Sequence, residues 1–305
     1  MCAIFGLLDY GGTLKHSQRV HIIQELGEAA EMRGIDATGI AFFQRKRLSI
    51  QKAPKPAHRM KYRIPKEVKY IMGHTRMTTQ GDAKKNYNNH PFSGKAGDQQ
   101  FALAHNGVLY NDRYLRKSCK LPKTEIETDS YVAVQLLEQE KEVSFNSICK
   151  MTEKIEGHFT FTILDQNNNL YFVKGENPLT IFHYSQLGIY LYASTEMILQ
   201  SALIALEMDE LEPEIIEPWE GDILKIDRYG EVTSSQFILR EEFPSRMIYP
   251  IRRYAIPYCQ SQQEYIQNLK AVAWAYGYDP LKIDALIADG FSEEDIEEML
   301  YGHAY

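Results

Sequence analysis

The chain opens on a nearly unbroken apolar run, Cys2 to Tyr10, that stops at Gly11-Gly12. This is the pattern of a strand buried on both faces and closed by a tight turn. From His16 to Met32 the apolar positions Val20, Ile23, Leu26, Ala29 and Ala30 fall near helical spacing, and Gly34 supplies a stop. Strands are expected at Gly39 to Phe43, Leu48 to Lys52, Tyr70 to Arg76 and Phe101 to Tyr110. Helices are expected at Asp112 to Cys119, Thr128 to Gln139 and Phe145 to Ile155.

From Gly157 the texture changes to short β-rich runs, read as one antiparallel meander, with Asn167-Asn168-Asn169 as a hairpin signal because asparagine tolerates positive φ. Ser194 or Thr195 is placed to cap a short helix through Leu206. A further hairpin turns at Tyr229-Gly230. Strands, then helices, then strands again predict helical layers around packed antiparallel sheets, an α+β arrangement. Beyond about Arg240, Pro244, Pro250 and Pro257 punctuate an extended connector. It is followed by helices at about Gln262 to Tyr276, at Leu281 to Ala288 and from Ser292, where Asp295 completes a capping-box pattern. No fixed-period repeat is visible.

Composition narrows the function classes. Among 305 residues, 44% are hydrophobic and 25% charged, ordinary values for a globular chain. The formal net charge of -7 speaks against a nucleic-acid-binding body, which needs a basic excess. No apolar run reaches membrane-spanning length and the N-terminus lacks a secretory pattern, so a cytoplasmic protein without membrane contact is expected. The four cysteines, Cys2, Cys119, Cys149 and Cys259, form no C-x-x-C pair. The position of Cys2 stands out. Once Met1 is removed, a second-position cysteine would carry a thiol and a free α-amino group on one residue, although a small buried residue opening a strand is the plainer reading.

Several polar, glycine-bracketed stretches sit where strands or helices end: "RGIDATG", "GHTRMTTQG", "NNHPF", "AHNGVLYN" and "ETDS". Each alone reads as a turn. In this order behind Cys2, and with "GENPL" and "YASTEMIL" further on, they resemble the class II glutamine amidotransferase domain of the N-terminal nucleophile hydrolases. The resemblance covers residues 2 to 240. It implies a four-layer αββα sandwich, with residues 241 to 305 left as a Pro-punctuated linker plus a small helical C-terminal extension.

The resemblance also implies roles. Cys2 matches the nucleophile that attacks the side-chain amide of L-glutamine, forms a γ-glutamyl thioester and releases ammonia, its own α-amine shuttling the proton. Asn106 and Gly107 match an oxyanion hole. An Asn-Gly pair is by itself a hairpin signal, and its flanks look like two strands. Arg76 matches the arginine that clamps the substrate α-carboxylate. Asp129 matches the acceptor of the α-ammonium, although alone it reads as a helix cap. Thr79 matches a substrate-contacting hydroxyl. Arg33, Asp36, His74 and His90 are read as scaffold. No metal or other cofactor is expected, because the histidines lack paired ligand spacing. Met77 and Gln80 depart from the tryptophan and histidine that many relatives carry.

Only 65 residues follow Arg240, and no phosphate-binding glycine loop is present. The expected acceptor of the ammonia is therefore a separate synthase subunit. The C-terminal helices are similar to small ubiquitin-associated-like modules, or else a helical hairpin packed on the main domain. Two other functions stay open at this point: an N-terminal nucleophile amidase acting on another small amide, and a non-catalytic protein retaining the fold.

Overall fold

The strand β1 (Ala3–Asp9) is buried at all seven positions, which is why its sequence runs apolar without alternation. In the computed structural model, which describes residues 2–238, 266, 270 and 280–288, it leads a chain that divides into two compact units, Met1–Glu242 and Phe243–Tyr305. After β1 come α1 (His16–Ala29), β2 (Ala37–Gln44), β3 (Arg47–Ala53), β4 (Tyr70–Arg76), β5 (Phe92–Ala96) and β6 (Gln99–Leu109). Three helices follow, α2 (Asp112–Ser118), α3 (Tyr131–Gln139) and α4 (Phe145–Thr152). The first unit is completed by β7 (Gly157–Asp165), β8 (Leu170–Lys174), β9 (Thr180–Tyr184), β10 (Ile189–Ala193), α5 (Glu196–Ala205), β11 (Glu214–Ile216), β12 (Asp222–Ile226) and β13 (Val232–Gln236).

Two antiparallel sheets result. One has the order β11-β9-β10-β1-β4-β2-β3 and the other β13-β12-β8-β7-β6-β5. Alternation along β1 sends Phe5 and Leu7 to a core shared with Ile23 and Leu26 of α1 and Leu199 of α5. It sends Ile4 and Leu8 to the opposite face, where Met72 and Tyr192 meet Ala102, Leu164 and Phe172 of the second sheet. A third core lies beneath α3 and α4, where Leu136 and Ile148 pack on Leu103 and Phe161. These three cores make four layers, αββα. The architecture is the four-layer α+β sandwich expected from the sequence.

Several local expectations are corrected. Asn106-Gly107 is no turn: both residues lie inside β6, which pairs with β7 from Phe101↔Asp165 through Leu109↔Gly157. A distant partner strand outcompetes the local hairpin. The meander is two hairpins in different sheets, β7–β8 and β9–β10, with the crossover at 175–179. Strand β5 was not expected. The first helix ends at Ala29 and continues as a tighter 3-10 turn, Ala30–Arg33. Thr195 stands at the start of α5 without a side-chain cap bond, while Ser194 Oγ accepts from Ile4 N at 2.9 Å. The helix expected from Thr128 starts at Tyr131, and Asp129 does not cap it.

In the second unit, the helix expected from Leu281 is present as α6 (Leu281–Ala288), with Lys270 Nζ 2.6 Å from Asp284 Oδ1. The expected connector, most of the helix from Gln262 and the helix from Ser292 lie outside the described residues. Among the described residues, no helix is long and apolar enough to cross a membrane.

Candidate active site

Cys2 immediately precedes β1, and the register Ala3↔Thr75 sets it beside Arg76, the last residue of β4. Arg76 is in turn paired with Ala37 of β2. The Cys2 thiol donates to the Met77 carbonyl at 3.4 Å, and Arg33 Nε donates to the Cys2 carbonyl at 3.0 Å. A small cleft opens here, lined by Cys2, Arg76, Thr79, Gly107 and Asp129. Met77 and Gln80 also lie on its wall. Of the residues singled out from the sequence, Asn106 is not among the lining residues.

Arg76 and Asp129 are each only 3% exposed. Arg76 Nη1 donates to Asn89 Oδ1 at 2.7 Å, and Nη2 to the carbonyls of Gln80 and Gly81 at 2.6 and 3.0 Å. Asp129 Oδ2 accepts from Leu109 N at 2.6 Å. All of these partners are uncharged. Among the described residues neither group makes an ion pair within 4.0 Å, so two buried opposite charges face one cavity without neutralising each other at contact. Burial lowers the Arg76 pKa from its ordinary value, offset by Cys2, Asp36 and Asp129.

The strand β6 supplies the opposite wall. Gly107 has φ +146°, and an added Cβ would overlap the His158 carbonyl oxygen and stand 2.7 Å from both Asn177 Nδ2 and His105 Nε2. Only glycine suits that position. Asn106 is 1% exposed, and neither its amide nitrogen nor its amide oxygen has a hydrogen-bond partner. A buried amide left unpaired costs about 1–3 kcal/mol, which a ligand oxygen can relieve.

Burial pushes the Cys2 thiol pKa up, against the lowering effects of the Met77 backbone and of Arg76. The group is thus held as a thiol at neutral pH and needs a base to react. Three imidazoles lie close by. Burial lowers His74 to about 3 and His105 to about 4, and holds His90 well below its usual value. All three are neutral, and His74 Nε2 meets the His105 carbonyl at 2.9 Å. Among the described residues, no group of three His, Cys, Asp or Glu is placed to hold a metal ion.

Residues 74–201 match the family described as "Glutamine amidotransferase domain". That matched stretch is a class II glutamine amidotransferase domain. The matched stretch contains Arg76, Asn106, Gly107 and Asp129, whereas Cys2 precedes it. Among curated proteins, the chain is 26% identical over 190 residues to a glutamine–fructose-6-phosphate aminotransferase of Sulfolobus acidocaldarius, covering 59% of this chain and 31% of that protein. The Aquifex aeolicus enzyme of the same name is 28% identical over 162 residues, 50% of this chain and 27% of that one. A 7-cyano-7-deazaguanine synthase of Sulfolobus acidocaldarius is 25% identical over 209 residues, 64% and 43% of the two chains. The chain therefore spans less than half the length of these relatives. Among solved structures, glutamine phosphoribosylpyrophosphate amidotransferase from B. subtilis superposes with a TM-score of 0.61 at 19% identity, covering 78% of this chain and 50% of that one. It shares the fold.

Two residues of the amidotransferase domain gained no role from sequence reasoning. Asn89 holds the Arg76 fork. Asn177, at the crossover between the sheets, donates to the Asn106 carbonyl at 2.9 Å, while its own carbonyl accepts from Thr160 Oγ1 at 2.6 Å. Both lie in stretches that carried the resemblance, "NNHPF" and "GENPL". The only available signal was a polar residue at a strand end. Of the residues read as scaffold, Asp36 Oδ2 accepts from Thr78 N at 2.7 Å and anchors the loop beyond β4.

Proposed function

We propose that this domain hydrolyses the side-chain amide of L-glutamine through a γ-glutamyl thioester on Cys2, and supplies ammonia to an acceptor reaction on a separate partner protein. The observation that carries the reading is the pair of buried, oppositely charged groups on one cavity. Arg76 offers a planar fork to a carboxylate and Asp129 an acceptor to an ammonium. A free α-amino acid bears both charges. Its side chain then has Cys2 and Gly107 as neighbours.

In the proposed reaction, removal of Met1 frees the Cys2 α-amine, whose reference pKa of about 8 leaves part of it neutral at pH 7. The amine takes the thiol proton as sulfur attacks the amide carbon. The carbonyl oxygen becomes an oxyanion, accepting from the Gly107 backbone N–H and the Asn106 amide. When the intermediate collapses, the C–N bond breaks, the amine returns its proton to nitrogen, and ammonia leaves. Water, deprotonated by the same amine, then attacks the thioester, giving glutamate and the free thiol. The names of the relatives point to different acceptors, so none is carried over. Localisation in the cytoplasm belongs to the same reading.

The test is glutamate release from L-glutamine by protein with a mature Cys2 terminus. Activity is expected to vanish in Cys2→Ala and in protein that retains Met1. The reading fails if mature protein releases no glutamate, alone or with co-purifying partners, and is not alkylated at Cys2 by a glutamine-mimicking electrophile.

A further inference from the structure

Lys52 lies on β3, opposite Gly39 of β2. Gly39 leaves room for the chain beyond it: an added Cβ would overlap the His90 carbonyl and stand 2.8 Å from Lys52 Cβ and 2.9 Å from Pro91 Cδ. Segment 89–91 thus rests directly on Lys52. Its ammonium donates to the carbonyls of Asn89 and Pro91 at 2.5 and 3.2 Å and sits 5.0 Å from the Phe92 ring centroid. Asn86 Nδ2 donates back to the Lys52 carbonyl at 2.8 Å, so lysine and segment are tied at two points. Asn89, fully buried, passes this placement on. Its Oδ1 accepts from Arg76 Nη1 at 2.7 Å, while its Nδ2 donates to the Ala83 carbonyl at 2.8 Å.

Among the described residues no carboxylate lies within 4.0 Å of Lys52. A half-buried ammonium and a buried guanidinium therefore share one neighbourhood without an anion at contact, a costly arrangement that an incoming carboxylate relieves. Burial and then the Arg76 guanidinium push the Lys52 pKa down to about 8. The other titratable groups that feel it, His74 and His90, are neutral.

We propose that Lys52 and Asn89 are positioning residues for the substrate carboxylate: Asn89 fixes the Arg76 fork, and Lys52 fixes Asn89 and adds a second positive charge behind it. The cavity then prefers amino acids with a free α-carboxylate to their carboxamides. This rests on the glutamine reading above.

The experiment compares kcat and KM for L-glutamine and for L-glutaminamide, which lacks the carboxylate charge, in the mature full chain. In Lys52→Met the preference for glutamine falls about tenfold through KM, with kcat within about twofold of wild type. Lys52→Arg restores it. Independently, a bound carboxylate raises the lysine pKa, so wild-type KM for glutamine rises as pH passes about 8. In Lys52→Arg that rise is smaller, because arginine stays charged and only the Cys2 α-amine and the substrate ammonium still titrate. Equal losses on both substrates in Lys52→Met, an unchanged preference, or the same alkaline rise in Lys52→Arg overturns the inference and leaves the glutamine reading standing. A wild-type chain that hydrolyses no glutamine overturns both.

Discussion

Gly107→Ala tests whether the strand that carries the proposed oxyanion donors is built as the geometry requires. At φ +146° a residue with a Cβ is held in a region essentially reserved for glycine, at a cost of about 1–3 kcal/mol. The methyl would also overlap the His158 carbonyl of the neighbouring strand and crowd Asn177 and His105, and forcing it into this packed site costs a further ~1–3 kcal/mol. The sum, about 2–6 kcal/mol, is a large share of the ~5–15 kcal/mol that holds a domain together. Any relief moves β6 away from β7 and carries the residue-107 N–H out of line. That donor is worth about 10²- to 10³-fold in kcat. Urea denaturation measures the first effect and glutamate release at saturating glutamine the second. Gly230→Ala is the control. Gly230 also has positive φ, +83°, and an added Cβ would stand 2.7 Å from the Tyr10 ring, in the turn between β12 and β13. It should lose stability and keep kcat. A Gly107→Ala protein within about 0.5 kcal/mol of wild type, or with unchanged kcat, would refute the reasoning.

Asp129→Asn keeps an acceptor for Leu109 N and removes the charge. KM for glutamine should rise about 10- to 100-fold, the worth of a charge-assisted hydrogen bond, with kcat changed only a few-fold. A KM within twofold of wild type would remove Asp129 from substrate binding. Acid should unfold the domain early. The unfolded chain protonates its histidines below about pH 6.5, whereas folded His74 and His105 stay neutral down to about 3 and 4. Stability is therefore lost as pH falls from 6.5 toward 4, by up to about 1.4 kcal/mol per pH unit for each ring. Urea midpoints across that range should show it, with a shallower slope in His90→Phe. A flat profile would contradict burial of the three rings.

The parts of this molecule visible in the sequence are those where local pattern and final environment agree. β1 read as a strand because both of its faces are buried, and β4 was bounded correctly because "GHTRMTTQG" leaves the sheet where its polarity changes. Asn106-Gly107 misled for the opposite reason. Its turn propensity is real, but nine paired positions along β6 and β7 outweigh one local preference. The same competition split the supposed meander, because strand alternation does not reveal which sheet a hairpin joins. Cys2, Arg76, Thr79, Gly107 and Asp129 could be proposed from the family resemblance that the ordered motifs carry. The contacts of Asn89, Asn177 and Lys52 could not, because they join segments distant in the chain and, for Asn177 and Lys52, end on backbone carbonyls that no side-chain pattern records.

The site draws its groups from two sheets that share no strand pairing. Cys2 and Arg76 come from the β1–β4 side and Asn106 and Gly107 from β6, so their spacing depends on how the sheets pack. Near the cavity that spacing is fixed by polar contact as well as by the apolar core: His74 on β4 reaches the His105 carbonyl on β6 at 2.9 Å. Behind it Ile4, Met72, Ala102 and Ala104 fill the interface, with small residues on β6 facing large ones on β1 and β4. A one-residue slip of β6 would exchange the faces of Asn106 and Gly107 and put Ala102 and Ala104 outside that core. Register, core and the proposed oxyanion donors are therefore one constraint. The buried, unpaired amide of Asn106 is tolerable because the rest of the strand cannot shift to satisfy it.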